Sequence, residues 1–388
     1  MNDIPIVLCL NSAYTKPSMM VMYTALIHAN KDTRYSFYFV HYDLKSTDID
    51  EINQLGSKYS QCASINFIKI DQIDYDGIPV KGRFGKEICF RLFLPKYLPD
   101  LKKVIYLDCD TMVLDDLSEL YAIDINDRAY AACSEKRMYQ MIWNPIINQV
   151  FQTRFRFFKK FNFDILDDDT HYCNSGIMLI NNYYWIKNNY LERSLSFIKE
   201  HLDDPDFGCM DQDVLNILAW QDNKTINAND TNIKASDSEY SNISDNIIKD
   251  SRVYLDWRYN MIIHFPGLNN KTEDDIVVRA RHSLFYLNNT NEKIKPKIMH
   301  FSDPLKPWIG GNTEYQKLYR QYARDIGWNI KISSKKFIQA TVKYTLMIIS
   351  WVIPYGIIKL FIKNTDKIRS FLKKILPTKL IRAIRKVV

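Results

Sequence analysis

Two carboxylates stand one residue apart in "KKVIYLDCDTMVLDDL", residues 102–117: Asp108 and Asp110, directly after the apolar run Val104-Ile105-Tyr106-Leu107. The run has the character of a buried strand. In extended backbone residues i and i+2 point to one side, so this spacing puts both carboxylates on one face and turns Cys109 away. Two negative charges that close repel unless something positive sits between them. Hard oxygen ligands suit Mg²⁺ or Mn²⁺, and two carboxylates supply only part of such an ion's shell, leaving positions open for a phosphate-bearing ligand. An isolated Asp-x-Asp also occurs in ordinary turns and helix N-caps, so the residues around it must decide.

The elements that would position this pair alternate along the chain. Ile4 to Cys9 reads as a strand. Pro17 opens a helix with Thr15 or Lys16 before it, and Met19, Met22, Tyr23 and Leu26 line one face. Ser36 to His41 is a second strand, Ser46 caps a helix through Tyr59, and Ser64 to Ile70 is a third strand. Lys86 to Tyr97 reads as a helix that leads into the strand ending at Leu107. A βαβα order of this kind predicts an α/β fold with a mostly parallel central sheet and helices on both faces. Ligands of such open sheets bind beyond the carboxyl ends of the strands, which is where Asp108 and Asp110 fall. The aromatic, basic stretch 140–172 is either a lid over the site or a surface insertion. Residues 222–250, rich in Asn, Asp and Ser, read as a long loop. Arg252 to Leu255 and Lys297 to His300 look like strands, and the body closes near Trp328.

A chain of 388 residues with 46% hydrophobic composition can bury one large core. Its seven cysteines form no C-x-x-C pair or zinc spacing, and an odd number argues against a disulfide framework, so reduced thiols are expected. No basic head precedes an apolar leader segment, which places the expected location on the cytoplasmic side. The net charge of +7 is unevenly spread: residues 331–388 carry fourteen Lys and Arg against one acid, Asp366, whereas the preceding 330 residues carry 38 basic and 44 acidic residues. Tyr344 to Phe361 is almost wholly apolar, yet Pro354 and Gly356 interrupt it and Lys359 ends the uncharged run, short of the roughly 20 residues a span needs. Beyond it Ile368, Phe371, Leu372, Ile375 and Leu376 recur at helical spacing against Lys367, Arg369, Lys373 and Lys374. These basic amphipathic C-terminal helices are expected on an anionic membrane surface, not on nucleic acid. The division expected is a 1–330 catalytic domain and a 331–388 membrane-associating tail, peripheral on the inner face of the cytoplasmic membrane.

The company of the acidic pair is specific. "IVLCLNSAYTKPSMMVMYTAL", "FRLFLPKYLPDLKKVIYLDCDTMV", "YCNSGIMLINNYYW", "MDQDVLN", "LDWRYN" and "IMHFSDPLKPW" occur in that order over about residues 4–325. Together they resemble glycosyltransferase family 8, the retaining sugar transferases, and especially its bacterial lipopolysaccharide glucosyl- and galactosyltransferases. The resemblance implies a Rossmann-like GT-A nucleotide-sugar-binding fold and a UDP-glucose or UDP-galactose donor. It also implies Mn²⁺, with Mg²⁺ as the substitute, and transfer to a lipid-linked glycan or lipopolysaccharide core acceptor. By position, Asp108, Asp110 and His300 would hold the metal. Leu10, Asn11 and Tyr14 would meet uracil, Arg91 the sugar and Lys306 the diphosphate. Asn174, Asp211 and Gln212 would surround the transferred hexose. Read without the resemblance, His300 is a core or capping residue, Arg91 a solvated or salt-bridged helix residue, Asn174 a cap or turn residue, and Asp211 an N-cap.

The resemblance is incomplete at two places. Asp303 stands where the family has glycine, and Leu10-Asn11-Ser12 stands where acidic residues are common. The implied mechanism is attack by the acceptor hydroxyl on the departing face through an oxocarbenium-like transition state. Gln212, whose amide oxygen is scarcely basic, would stabilise positive charge without a lasting covalent bond. Two alternatives of other classes are a catalytically weak or silent nucleotide-sugar-binding protein and a metal-dependent nucleotidyltransferase. The latter would need a glycine-rich, basic phosphate loop, and "LNSAYTKPS" has none.

Overall fold

The computed structural model describes residues 3–80, 85–134, 156–163, 172–229, 251–262, 295–302, 304–311 and 313–341. Most of the lid or insertion at 140–172, the loop from 230 to 250, Asp303 and the tail beyond 341 lie outside the described residues.

A seven-stranded sheet runs in the order β3-β2-β1-β4-β7-β6-β8. Its strands are β1 (Ile4–Leu10), β2 (Tyr35–His41), β3 (Ala63–Lys69), β4 (Lys103–Leu107), β6 (Tyr130–Ser134), β7 (Cys173–Asn181) and β8 (Arg252–Tyr254). β3, β2, β1 and β4 are mutually parallel, and β7 alone runs against its two neighbours, β4 and β6. Every residue of β1 is buried, as a strand flanked by two others and covered on both faces should be. In β4, alternate side chains serve opposite layers: Val104 and Tyr106 pack with Phe90, Leu92 and Trp185, whereas Ile105 and Leu107 pack with Met19, Met22 and Phe37. The chain winds outward through β1, β2 and β3, then returns to lay β4 on the other side of β1. The crevice between β1 and β4 is therefore the place where strand order reverses.

A second sheet, in the order β5-β10-β9, joins β5 (Thr111–Val113), β9 (Met261–Ile262) and β10 (Ile298–His300). It changes the environment of helix α1 (Thr15–Ile27). One apolar face was expected there, yet Met20 is buried against Met112, Met261 and Met299 of the small sheet while Met19 and Met22 face the large one. Helix α2 (Ser46–Ser57) begins a residue early, with the Asp48 carboxylate accepting the Lys45 N–H at 2.9 Å, so Ser46 is its first residue and not its cap.

Two further expectations are corrected. The segment 86–97 is not one α-helix: Lys86–Phe93 is a tighter 3-10 turn and only Leu94–Tyr97 (α4, after the short α3, Gln72–Gly77) is α-helical. Pro95 has no N–H to give the Arg91 carbonyl, so the α ladder cannot run through. As expected, β4 ends at Leu107, and Asp108 and Asp110 stand in the turn directly after it. The loop expected from 222 begins later, because α8 runs over Met210–Asn229; before it come α5 (Ser118–Ala122), α6 (Asn182–Lys187) and α7 (Tyr190–His201), and after it α9 (Glu314–Asp325). The described part of the aromatic stretch is core: Phe157, Phe158 and Phe163 are buried with Tyr172 and Phe197, and Arg156 pairs with Asp206 through both carboxylate oxygens, at 3.0 and 2.7 Å. None of the seven cysteines forms a disulfide.

Candidate active site

The turn after β4 sets the acidic pair. The Thr111 hydroxyl donates to the Asp108 carbonyl at 2.8 Å, and the Asp108 N–H donates to the Gly176 carbonyl at 2.7 Å, which fastens the turn to β7. Cys109 faces inward, its Sγ donating to the Cys9 carbonyl at 3.3 Å, so the two carboxylates lie on the opposite side as their spacing implied. β10 then delivers His300 from 190 residues downstream. Its Nε2 lies 3.2 Å from Asp110 Oδ1 and 3.6 Å from Asp108 Oδ2. One ligand atom from each of the three residues falls within 4.8 Å of the others.

The neighbouring cations are placed as tightly. Arg91, only 4% exposed, bridges Asp108 at 2.9 Å and Asp211 at 3.0 Å. It also donates to the carbonyls of Ile88 and Ser175 and lies over the Tyr106 ring at 4.2 Å. Burial opposes its charge, but Tyr106, Asp211 and Asp108 hold the guanidinium well above its ordinary pKa. Tyr106 donates to Asp108 at 2.7 Å. Lys306 donates to Asp110 and, at 2.5 Å, to the Phe301 carbonyl. Burial would raise the Asp110 pKa, yet Lys306 and His300 bring it well below the usual carboxylate range.

Asp211 and Gln212 occupy the first turn of α8. Asp213, inside the same first turn, accepts the N–H of Cys209, the residue before the helix, at 2.7 Å and the Tyr172 hydroxyl at 2.5 Å. Asp211 pairs with Arg91 instead; burial pushes its carboxyl up to about 6, Arg91 lowers it and Asp108 raises it again. Gln212 is clamped at both ends: its Oε1 accepts the Ser175 N–H at 3.0 Å and its Nε2 donates to the Tyr172 hydroxyl at 2.8 Å. Asn174, at the start of β7, is buried and its Oδ1 accepts the Gly176 N–H at 2.9 Å.

The β1 end is looser. Leu10 is buried, and Asn11 accepts the Ala13 N–H at 3.1 Å, capping the 3-10 turn Ser12–Tyr14. The acid missing from this loop comes from the end of β2: Asp43 accepts both the N–H and the hydroxyl of Ser12, at 2.9 and 3.0 Å. Tyr14 is half-buried and meets Trp308 edge-on at 6.2 Å, which brings the Lys306 segment against the first loop. All eleven residues singled out from the sequence thus gather around the β1/β4 crevice. Tyr106, Gly176, Asn260 and Tyr172 were not singled out, although each lies inside a quoted motif.

A divalent cation fits the set. The buried Oδ1 of Asp110 makes no hydrogen bond, two carboxylates and an imidazole are a ligand set suited to Mn²⁺ or Mg²⁺, and Gly176 leaves room beside them. A Cβ at Gly176 would lie 2.3 Å from the His300 ring and 2.8 Å from Asp108.

A family model described as glycosyl transferase family 8 matches residues 5–310. General stress protein A of Bacillus subtilis (strain 168) is 25% identical over 328 residues, 84% of this chain and 94% of that protein. The lipopolysaccharide 1,2-glucosyltransferase of Escherichia coli is 22% identical over 330 residues, 83% and 85% of the two chains. The solved structure of galactosyltransferase LgtC in complex with donor and acceptor sugar analogs superposes with a TM-score of 0.56 at 19% identity, covering 86% of this chain and 98% of that one. The fold is that of the GT-A glycosyltransferases.

Proposed function

Because this chain belongs to glycosyltransferase family 8, we propose that it transfers glucose or galactose from a UDP-sugar to a hydroxyl of a glycan acceptor, with retention of anomeric configuration. The observation that carries this reading is the meeting of Asp108, Asp110 and His300 beside the Arg91–Asp211 pair, at the point where strand order reverses. In it Asp108, Asp110 and His300 would hold Mn²⁺, or Mg²⁺ in its place. The bound ion would neutralise charge on the departing diphosphate and make a general acid unnecessary.

The chain's own residues do the rest. Lys306 turns from Asp110 to the diphosphate, and a second positive group there stabilises the leaving charge. Tyr14 stacks on uracil, with Leu10 and Asn11 beside it. Arg91 and Asp211 hold the sugar hydroxyls, and each orients the other. Gln212 faces the anomeric carbon. Its amide oxygen is scarcely basic and already accepts the Ser175 N–H, which argues against covalent attack and leaves it a charge-stabilising role. The acceptor hydroxyl then attacks from the side the diphosphate leaves, giving its proton to that phosphate.

The acceptor proposed is a lipid-linked glycan, as in a lipopolysaccharide core. Support comes from the basic, apolar composition of 342–388 and from the printed name of the Escherichia coli relative. The tail would hold the protein peripherally on an anionic inner membrane face. No helix among the described residues is long and apolar enough to cross a membrane.

The test is UDP release from a panel of UDP-sugars with Mn²⁺, Mg²⁺ or EDTA. One or both hexose donors should be consumed with Mn²⁺, and EDTA should stop the reaction. Asp110→Ala should cut turnover by about 10³-fold or more while the far-UV circular dichroism is kept. Undiminished turnover in EDTA would overturn the metal-dependent mechanism.

A further inference from the structure

Asn260 ends the 3-10 turn Trp257–Asn260, leads directly into β9, and has no part in the chemistry above. It is buried, and its side chain lies between two groups that do: Oδ1 is 3.0 Å from His300 Nδ1 and Nδ2 is 2.8 Å from Asn174 Oδ1.

The direction of every hydrogen bond on this line follows from one group that cannot be reversed. The Gly176 backbone N–H only donates, so Asn174 must present Oδ1 to it. The same oxygen can receive Asn260 only through an amide N–H. Asn260 therefore turns Oδ1 toward the imidazole, and an acceptor there requires the proton on Nδ1. Flipping Asn260 would set oxygen against oxygen at 2.8 Å in a buried place. A neutral ring protonated at Nδ1 carries its lone pair on Nε2, the nitrogen that faces Asp110 and Asp108 at 3.2 and 3.6 Å.

We propose that Asn260 is a positioning residue of the cation site: it holds His300 in the Nδ1-protonated tautomer with Nε2 aimed between the two carboxylates, and it takes its own orientation from Gly176 through Asn174. The sugar-side asparagine and the metal-side histidine thus share one hydrogen-bonded line, and a disturbance at either end is felt at the other. The inference rests on the reading of Asp108, Asp110 and His300 as a divalent-cation site.

The experiment uses the full chain without donor. Mn²⁺ alone is titrated and free ion is followed by electron paramagnetic resonance, with thermal melting to report folding. Asn260→Ala should weaken Mn²⁺ binding about 10- to 100-fold, the range seen when an outer partner of a metal histidine is removed. Asn260→Asp keeps an acceptor for Nδ1–H but cannot donate to Asn174. It should bind Mn²⁺ within about threefold of wild type, while kcat for donor hydrolysis falls because the Asn174 end of the line has lost its donor. An Asn260→Ala protein that binds Mn²⁺ within about twofold of wild type would overturn the proposal. So would a folded Asn260→Asp protein that has lost Mn²⁺, since that would make Asn260 a packing residue; this arm stands even if the alanine variant does not fold. Wild-type protein that binds no Mn²⁺ would remove the cation site itself, and the positioning role with it.

Discussion

Gly176 is the residue on which most of the site's geometry converges. Its carbonyl holds the Asp108 N–H, its N–H orients Asn174, and its bare Cα leaves the space that the His300 ring and the Asp108 carboxylate fill. Gly176→Ala would bring a methyl to 2.3 Å from the ring, a distance that forces His300 or Asp108 to move. Mn²⁺ affinity should fall about 10-fold or more while melting temperature changes by only a few degrees, checked by titration and calorimetry. Asp211 offers a pH test. Its carboxyl is pushed up to about 6 from 3.8, by burial first, so between about pH 4 and 6 the folded protein keeps a proton that the unfolded chain has released. The unfolded state then binds fewer protons, and stability falls as pH rises through that window, by up to about 3 kcal/mol in total. Denaturant midpoints of metal-free protein should show this slope, and Asp211→Asn should flatten it.

At the scale of elements, the first turn of α8 gives its two aspartates different partners, Asp211 the Arg91 guanidinium and Asp213 a hydrogen-bonded network. Asp213 takes the Cys209 N–H and the Tyr172 hydroxyl; Tyr172 in turn takes Gln212 Nε2, and Ser175 takes the other end of the amide. Asp213→Ala would leave buried donors without their acceptor and should cost about 2–4 kcal/mol by denaturant unfolding. Because Tyr172 then loosens, kcat should fall more than KM rises. Read without the family resemblance, Asp211 was an N-cap; in the fold it pairs with Arg91 while Asp213 accepts the Cys209 N–H, a division of labour that two aspartates at a helix start do not show in sequence. The same limit explains α1. Its heptad-like face was legible, but the burial of Met20 depends on β9 and β10, which are far away in the chain.

Over the whole molecule, the large sheet supplies the crevice and the small sheet supplies the histidine. β10 pairs with β5, the strand that directly follows Asp110, so His300 lies opposite Thr111 in the ladder and reaches the acidic turn through register alone. The start of the C-terminal region belongs to this architecture: Ala340 packs on Leu305, and Phe337 occupies the space above Gly310, on the loop that carries Lys306. Truncation after 341 should therefore spare donor hydrolysis and, on the membrane proposal, release the protein from anionic vesicles in a sedimentation assay. Truncation after 335 removes Phe337 and Ala340 and should raise the KM for donor, because the Lys306 loop loses its cover. A protein truncated after 341 that still pellets with vesicles would end the membrane role of the tail.

The order of strands and helices and the family resemblance were legible in the sequence, as were the eleven residues proposed for the site, because local periodicity and short motifs are properties of neighbouring residues. Asp108 and Asp110 suggested a cation by type and spacing, and the motifs around them carried the reading. Tertiary structure decided which partners complete them: the Arg91 bridge from Asp108 to Asp211, the Asp43 carboxylate that supports the first loop, and the Gly176–Asn174–Asn260–His300 line. Each of these joins groups distant in the chain or depends on the direction of a single hydrogen bond. Neither has a periodic trace along the chain, so only folding could bring them into view.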